Sequence, residues 1–277
     1  MTLEMTLLKV HHSGASEARK LIPYIQNCDV FGPENPCATE NESREIENYW
    51  EAALKLTRSA HRRFLDRIYS DTGTISPETA EYNRAQQEVL HRSQKPIYIL
   101  ERLSDEDSEN GKLLRNLAKS AKFVASKSLV LGNVDDFVDK YFEGCRYELH
   151  QSDMRDANMA SVMINLEDRI RRRYEKLRDK NHLVFAAALG ACHKPETRVS
   201  VKSLTVVLSD TTEFSIYEDV NNAISEGKQP HECKKELLVK AIYELNLVNN
   251  WKLDMKMIKN YTFTELLEVI NKRVKKF

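Results

Sequence analysis

Short apolar runs alternate with longer periodic stretches at the start of this chain. Residues 3–11 are mostly apolar and lead into Ser13-Gly14, a pattern that predicts a strand followed by a turn. Apolar residues recur at helical spacing over 16–26, and residues 28–34 predict a second strand. A strand, a helix and a strand in so short a span predict a parallel βαβ unit.

A polar, helix-forming region separates this unit from the next strand. Residues 39–69 carry an apolar stripe on a charged helix, and Ser76-Pro77 restarts a second helix with a cap and a first-position proline. We therefore predict a helical hairpin inserted over about residues 39–94. The apolar run 97–100 predicts a third strand, which ends at Glu101-Arg102.

The same periodicities predict the remaining elements. The acidic stretch 105–111 indicates a solvated loop and helix start rather than a calcium site. Residues 183–192 predict a buried strand, 199–208 fit a helix or a strand, and 212–217 predict a strand. Helices are predicted over 113–127, 134–149, 153–179, 232–245 and 263–275. The fold class is therefore α/β, with a mixed central sheet flanked by helices in a single domain, 1–277, and a C-terminal helical extension over about 218–277.

Charge and cysteine content argue against several classes of protein. Lys and Arg total 42 and Asp and Glu total 42, so the formal net charge is zero and a general attraction to nucleic acid or anionic membrane is not expected. No apolar run approaches the roughly 20 residues of a membrane span. The first residues lack a secretory layout, so we expect a cytoplasmic protein. The five cysteines include no CxxC pair, which argues against a disulfide framework or a thiolate zinc site.

Histidines stand at the ends of two predicted strands. His11-His12 closes the first strand, His193 closes the 183–192 run, and Glu34 ends the second strand. Open α/β sheets place their binding crevice at the carboxyl ends of strands, so we expect His12, Glu34 and His193 to share one pocket. Each residue alone also fits a surface or satisfied core position, and Glu34 also fits a helix cap. Their joint order is what points to a site.

That order of motifs resembles the TraB/Tiki superfamily, which is related to the ChaN-like haem-binding proteins and the erythromycin esterases. The resemblance runs from about Leu7 to Pro195. It is carried by Lys-Val-His-His-Ser-Gly from Lys9, Asp-Val-Phe-Gly-Pro-Glu ending at Glu34, Ile-Leu-Glu-Arg ending at Arg102, Met-Arg-Asp-Ala-Asn-Met-Ala around Arg155, and Gly-Ala-Cys-His from Gly190. It implies a two-halved erythromycin esterase/ChaN-like architecture and the hydrolysis of peptide or ester bonds.

The resemblance also implies roles for individual residues. His12 would be the base or a metal ligand, Glu34 its acidic partner and His193 a second ligand or acid. Arg155 would hold an anion, and Asp156 would orient a neighbour. A divalent metal (manganese, cobalt or zinc) on His12, Glu34 and His193 is one route, and metal-free deprotonation of water is the other. The substrate, a small molecule or a peptide, would contact Lys9, His11, Glu101, Arg102 and Gly190.

Lys9 stands where the family has glycine, and it opens two alternatives. A long cationic chain must leave the pocket or fill it, and in the second case it would pair with Glu34 and repel a metal. The chain would then be a non-enzymatic protein that binds a haem or a peptide, or an interaction module that works through helices 39–94. Cys192 also suggests a thiol nucleophile, but adjacent residues on a strand point to opposite faces, so it would not face His193 without a turn.

Overall fold

The computed structural model describes residues 2–10, 14–34, 38–69, 77–190, 193–208, 211–249 and 251–274. The chain forms two compact units, one from Met1–Glu109 and Met154–Ser209 and the other from Asn110–Asp153 and Asp210–Phe277. No helix in the described ranges has both the length and the apolar character needed to cross a membrane. The predicted assignment to a single domain stays a prediction.

A four-stranded sheet organises the first unit. Its order is β2-β3-β1-β4, and every pairing among these strands is parallel. The strands are β1 (Thr2–Val10), β2 (Val30–Gly32), β3 (His182–Gly190) and β4 (Leu204–Leu208). The α/β class is confirmed, but the predicted mixed sheet is wrong for the described strands. No two of them are joined by a hairpin, and parallel neighbours need the longer crossovers found here.

Twelve α-helices account for most of the remaining described residues. They are α1 (Gly14–Lys20), α2 (Ile22–Asn27), α3 (Glu40–Leu54), α4 (Arg58–Tyr69), α5 (Pro77–Ser93), α6 (Asp105–Val130), α7 (Val134–Ile164), α8 (Leu166–Arg173), α9 (Thr211–Ser225), α10 (Lys234–Asn249), α11 (Met255–Ile258) and α12 (Phe263–Val274).

Apolar side chains cover both faces of the sheet because alternate strand residues point to opposite sides. On one face, Leu8 and Ala188 join residues of α1, α2, α3 and α5. On the other, Leu7 and Phe185 join residues of α7 and α8. This double cover explains why β3 is an almost continuous apolar run and why the adjacent Leu7 and Leu8 of β1 are both buried. Each fully buried Leu or Phe contributes about 1.5–3 kcal/mol relative to leaving it exposed.

Several predicted helices differ from the observed ones in where they end. The helix predicted over 16–26 is divided at Leu21, where Pro23 lies in the first turn of α2. Residues 39–94 contain three helices, α3 to α5, rather than two. The helices predicted over 134–149 and 153–179 are instead α7, which runs unbroken through Gln151 and Ser152, and the short α8. Both serines and glutamines are tolerated inside a helix whose apolar face is buried.

Two predicted strands are wrong. Residues 97–100 form only an isolated bridge, Ile97 to Phe31, because the neighbouring β2 is only three residues long, and the N–H groups of Ile97 and Ile99 donate to the side chains of Glu51 and Glu47. Residues 212–217 lie in α9. The segment resembled a strand because residues 214 and 216 are both apolar. Residues 199–208, whose sequence fits either a helix or a strand, contain the strand β4.

The second unit holds a cluster of charged side chains beside its apolar core. Helices α9, α10 and α12 supply much of that core, which includes Val220, Leu238 and Leu266. Lys240 is 1% exposed, and its Nζ lies 2.8 Å from Glu148 Oε2, while Lys122 Nζ lies 2.6 Å from Glu148 Oε1. Burial opposes the charged form of Glu148, but the two ammonium groups outweigh it and lower the pKa of this carboxyl from 4.5 to about 2.

This cluster predicts acid sensitivity of the second unit. Because the pKa of Glu148 is lower in the folded chain, its stabilising contribution is complete above pH 4.5 and is lost as the pH falls toward about 2. We expect Glu148→Gln to lower the free energy of unfolding at pH 7 and to flatten its dependence on pH in that window. Urea unfolding followed by the fluorescence of buried Trp251, in a Trp50→Phe background, measures this.

Glu268→Gln is the matched control, because Glu268 is 60% exposed and, among the described residues, its ion pair is a helical i,i+4 contact with Lys272. An acid profile of Glu148→Gln that matches both the parent and this control would show that the Lys122 and Lys240 contacts do not stabilise the unit.

Candidate functional site

The carboxyl edge of the sheet has the topology of a binding crevice. Strands β1 and β3 are neighbours, with β2 beyond β3 and β4 beyond β1. The chain leaving β1 next joins β2, beyond β3, whereas the chain leaving β3 next joins β4, beyond β1, so the connections from these two adjacent strands run in opposite directions across the sheet. In open α/β sheets ligands bind at this switch point. Glu34, Gly190 and His193 all lie just past or at the ends of these strands.

Arg155 of α7 joins two carboxylates at this edge. Its Nε donates to Glu101 Oε2 at 2.7 Å, and its Nη2 donates to Glu34 Oε1 at 2.7 Å. The side chains of Arg155, Glu101 and Glu34 are 7%, 2% and 11% exposed. Burial disfavours the charged guanidinium, but Glu34 and Glu101 outweigh it and raise the pKa of Arg155 above its ordinary value. Arg155 is predicted to hold a substrate anion, but two of its N–H groups are bound to protein carboxylates.

His193 lies between two further carboxylate contacts. Its Nδ1 is 2.7 Å from Asp156 Oδ1, and its Nε2 is 3.5 Å from Glu34 Oε1. The backbone N–H of Lys194 donates to Asp156 Oδ2 at 2.7 Å, which fixes that carboxylate. An ionised carboxylate only accepts hydrogen bonds, so the proton of this pair lies on Nδ1. Asp156 therefore orients the ring and leaves Nε2 directed toward Glu34.

Gly190 is required by the close approach of Glu34. The backbone N–H of Gly190 donates to Glu34 Oε2 at 2.5 Å. A Cβ on residue 190 would lie 3.1 Å from the same oxygen and 3.6 Å from His193 Cδ2. Any larger residue would push the carboxylate away from the N–H that holds it.

Lys9 does not pair with Glu34. Its side chain is 2% exposed, and its Nζ lies 2.8 Å from Glu196 Oε2 and also donates to the backbone carbonyl of His193. The lysine therefore supports the segment that carries His193 from the side of β1. Glu196 was missed in the sequence because no spacing or motif distinguishes it from an ordinary charged residue after Pro195.

The structure brings together most of the predicted site residues and separates one. Arg102 points away from Glu101 and pairs with Glu40 and Glu47. His11, His12 and Cys192 lie outside the described residues, so the predicted roles of these three residues stay predictions. The residues that share the edge are Lys9, Glu34, Glu101, Arg155, Asp156, Gly190 and His193.

The described part of the site offers few ligands for a metal. Within the described ranges, no group of three or more His, Cys, Asp or Glu side chains is arranged to hold an ion. Glu34 and His193 Nε2 are the two groups of this cluster that could face one, since Nδ1 is bound to Asp156. Catalytic zinc sites commonly use three protein ligands. These residues do not by themselves complete a metal site.

No family model, curated protein or solved structure matches this chain. The resemblance to the TraB/Tiki superfamily therefore rests on the motifs around Lys9, Glu34, Arg155 and Gly190, and it stays a prediction.

The Arg155 contacts predict a large effect on stability. Replacing Arg155 with Met leaves the buried carboxylate of Glu101 without its cation, and breaking a buried pair in this way costs about 3–5 kcal/mol. We expect urea unfolding of the first unit to show a loss of that size in Arg155→Met. The double variant Arg155→Met with Glu101→Met should recover part of it, because the Glu101 carboxylate is removed as well and Glu34 keeps the N–H of Gly190.

Arg92→Met serves as the control, since Arg92 is 66% exposed and lies 3.9 Å from Glu88. If Arg155→Met were as mild as Arg92→Met, the buried bridge would not be an important source of stability.

Proposed function

We propose that this chain is a hydrolase of peptide or ester bonds that activates water through Asp156, His193 and Glu34. The observation that carries the proposal is the placement of the His193 ring, with Asp156 2.7 Å from Nδ1 and Glu34 3.5 Å from Nε2. An imidazole whose ring a carboxylate orients through Nδ1 is the arrangement that general bases use.

His193, Asp156 and Glu34 would have different roles in proton transfer. A water molecule at Nε2 of His193 would pass a proton to the ring as its oxygen attacks the carbonyl carbon of the substrate. Asp156 would stabilise the imidazolium that forms, and the ring would return the proton to the leaving group. Glu34, pinned by Arg155 and by the N–H of Gly190, would add negative charge beside the same nitrogen.

Other groups of the site would serve the substrate. Arg155 has five N–H donors, of which the contacts with Glu101 and Glu34 use two, and the rest suit a developing oxyanion. His12, the base or ligand implied by the resemblance, would join from the end of β1. If manganese, cobalt or zinc binds, Glu34 and His193 would be ligands, and the ion would polarise the carbonyl.

The burial and pairing of the charged site residues favour a second candidate function, that of a non-enzymatic binding protein. Glu101, Arg155 and His193 are each less than a tenth exposed, and Arg155 contacts Glu101 while His193 contacts Asp156. A structural network of this kind would hold the strand ends in place while a ligand such as a haem or a peptide binds nearby.

A substrate screen with matched histidine variants separates the two candidates. We expect turnover of p-nitrophenyl esters or fluorogenic dipeptides by the parent chain, and a loss of about 10²–10⁴-fold in His193→Gln, the range attributed to a general acid or base. His182→Gln is the control, because His182 lies at the opposite end of β3 and is 53% exposed. Equal turnover by His193→Gln and His182→Gln, at equal stability, would remove His193 from the mechanism. A parent chain inactive on the whole panel, with and without manganese, would favour the binding protein.

We expect Asp156→Asn to change the dependence of kcat/KM on pH. A base must be unprotonated to act, so kcat/KM of the parent should rise with pH as the His193 imidazole loses its proton. A neighbouring carboxylate favours the imidazolium, so its replacement by an amide should move this rise to lower pH and reduce the maximum. Glu167→Gln, a substitution on α8 outside the site, should leave the profile unchanged. An unshifted rise in Asp156→Asn would contradict the orienting contact.

A further inference from the structure

A second cavity in the first unit is lined mainly by arginines. Its volume is about 740 Å³, and it opens among α3, the segment after Ile97, and α8. None of its lining residues belongs to the candidate site described above. The arginines come from all three of these parts of the chain and are Arg44, Arg102, Arg169, Arg172 and Arg173.

The ion pairs at this cavity leave an excess of positive charge. Glu40 pairs with Arg44, Arg102 and Arg169. Its pKa is lowered because these arginines outweigh the opposing effect of burial. Glu47, whose side chain is fully buried, pairs with Arg102 and with Arg173. Within the described ranges, these two carboxylates are the only ion-pair partners of the five guanidiniums.

Arg102 forms a rigid floor for the cavity. Its side chain is 2% exposed, and its guanidinium lies over the ring of Tyr98 at 4.1 Å. Its Nε donates to the Ile99 carbonyl at 3.2 Å, and its Nη1 donates to Glu40 at 2.8 Å. The guanidinium is held in one orientation before any ligand arrives, so little conformational entropy remains to be lost on binding.

The more exposed arginines supply the remaining donors. Arg44 is 61% exposed and Arg169 is 37% exposed, and Arg172 is exposed without an ion pair in the part of the chain that the structure describes. The arginines at the end of α8 are favoured there by the helix dipole. That effect does not account for Arg44 or Arg102, which reach the same cavity from other elements.

We propose that this cavity binds a small molecule that carries two or more phosphate groups. The planar fork of arginine matches phosphate oxygens in pairs of hydrogen bonds, and several forks converge here. The volume lies within the range of about 300–1,000 Å³ found for small-molecule sites, and is larger than one inorganic phosphate needs. A ligand with several negative charges would balance the excess left by Glu40 and Glu47. This proposal is independent of the proposed hydrolase activity.

Calorimetric titration with inorganic pyrophosphate at low ionic strength tests the proposal. We expect saturable binding by the parent chain, weaker binding of sulfate, and a Kd raised at least about tenfold in Arg169→Ala with Arg172→Ala. A tenfold change is the loss expected when one charge-assisted hydrogen bond is removed. The control is Arg62→Ala with Arg63→Ala, which removes the same charge from exposed positions on α4.

The single variant Arg172→Ala separates weaker binding from a folding defect. In the described ranges Arg172 forms no ion pair, so its replacement leaves the ion pairs of Glu40 intact. It should fold like the parent chain and still bind pyrophosphate more weakly. The proposal is overturned if the parent chain does not bind pyrophosphate, if the double variant binds as tightly as the parent, or if the α4 control weakens binding equally.

Discussion

A guanidinium withdrawn from water must be paired, and Arg155 meets this requirement by binding two carboxylates from different parts of the chain. Glu34 follows β2, Glu101 follows the segment that pairs with β2, and Arg155 belongs to α7. One buried cation therefore fixes a helix against two chain segments at the carboxyl edge of the sheet. The Asn158 side chain adds to this, since it accepts from the N–H of Arg102 at 2.8 Å and donates to the carbonyl of the same residue at 2.8 Å.

The chemistry at both polar regions of the first unit depends on this attachment. Asp156 is the next residue after Arg155, so fixing the helix also fixes the carboxylate that orients His193. In the segment after Ile97, Glu101 and Arg102 are adjacent but form different contacts. Glu101 pairs with Arg155, whereas Arg102 pairs with Glu40 and Glu47. A single extended segment thus supplies one charged side chain to the candidate catalytic edge and another to the arginine-lined cavity.

Local sequence patterns predict strands β1 and β3 and the candidate residues at strand ends, whereas they do not predict several of the side-chain pairs. Strands β1 and β3 end in turn residues, and because parallel strands share one edge the sequence predicts His12, Glu34 and His193 there. Glu34 and His193 do lie together, whereas His12 lies outside the described residues and Asp156 is expected only from the family resemblance. The pairing of Lys9 with Glu196 joins residues far apart in sequence, and nothing local marks Glu196. The run 97–100 has strand composition, but carboxylates of α3 take its N–H groups. Only the tertiary arrangement determines which charged residues pair and whether such a run forms a strand.

We infer from the 2.7 Å contact that Asp156 holds His193 in one tautomer with Nε2 directed toward Glu34. A long-range ¹H–¹⁵N correlation spectrum of the histidine side chains, with the His193 signals assigned by their loss in His193→Gln, tests it directly. We expect Nδ1 of His193 to stay protonated at every pH at which the chain is folded, and only Nε2 to titrate. A spectrum in which Nδ1 is the unprotonated nitrogen of the neutral ring would contradict it.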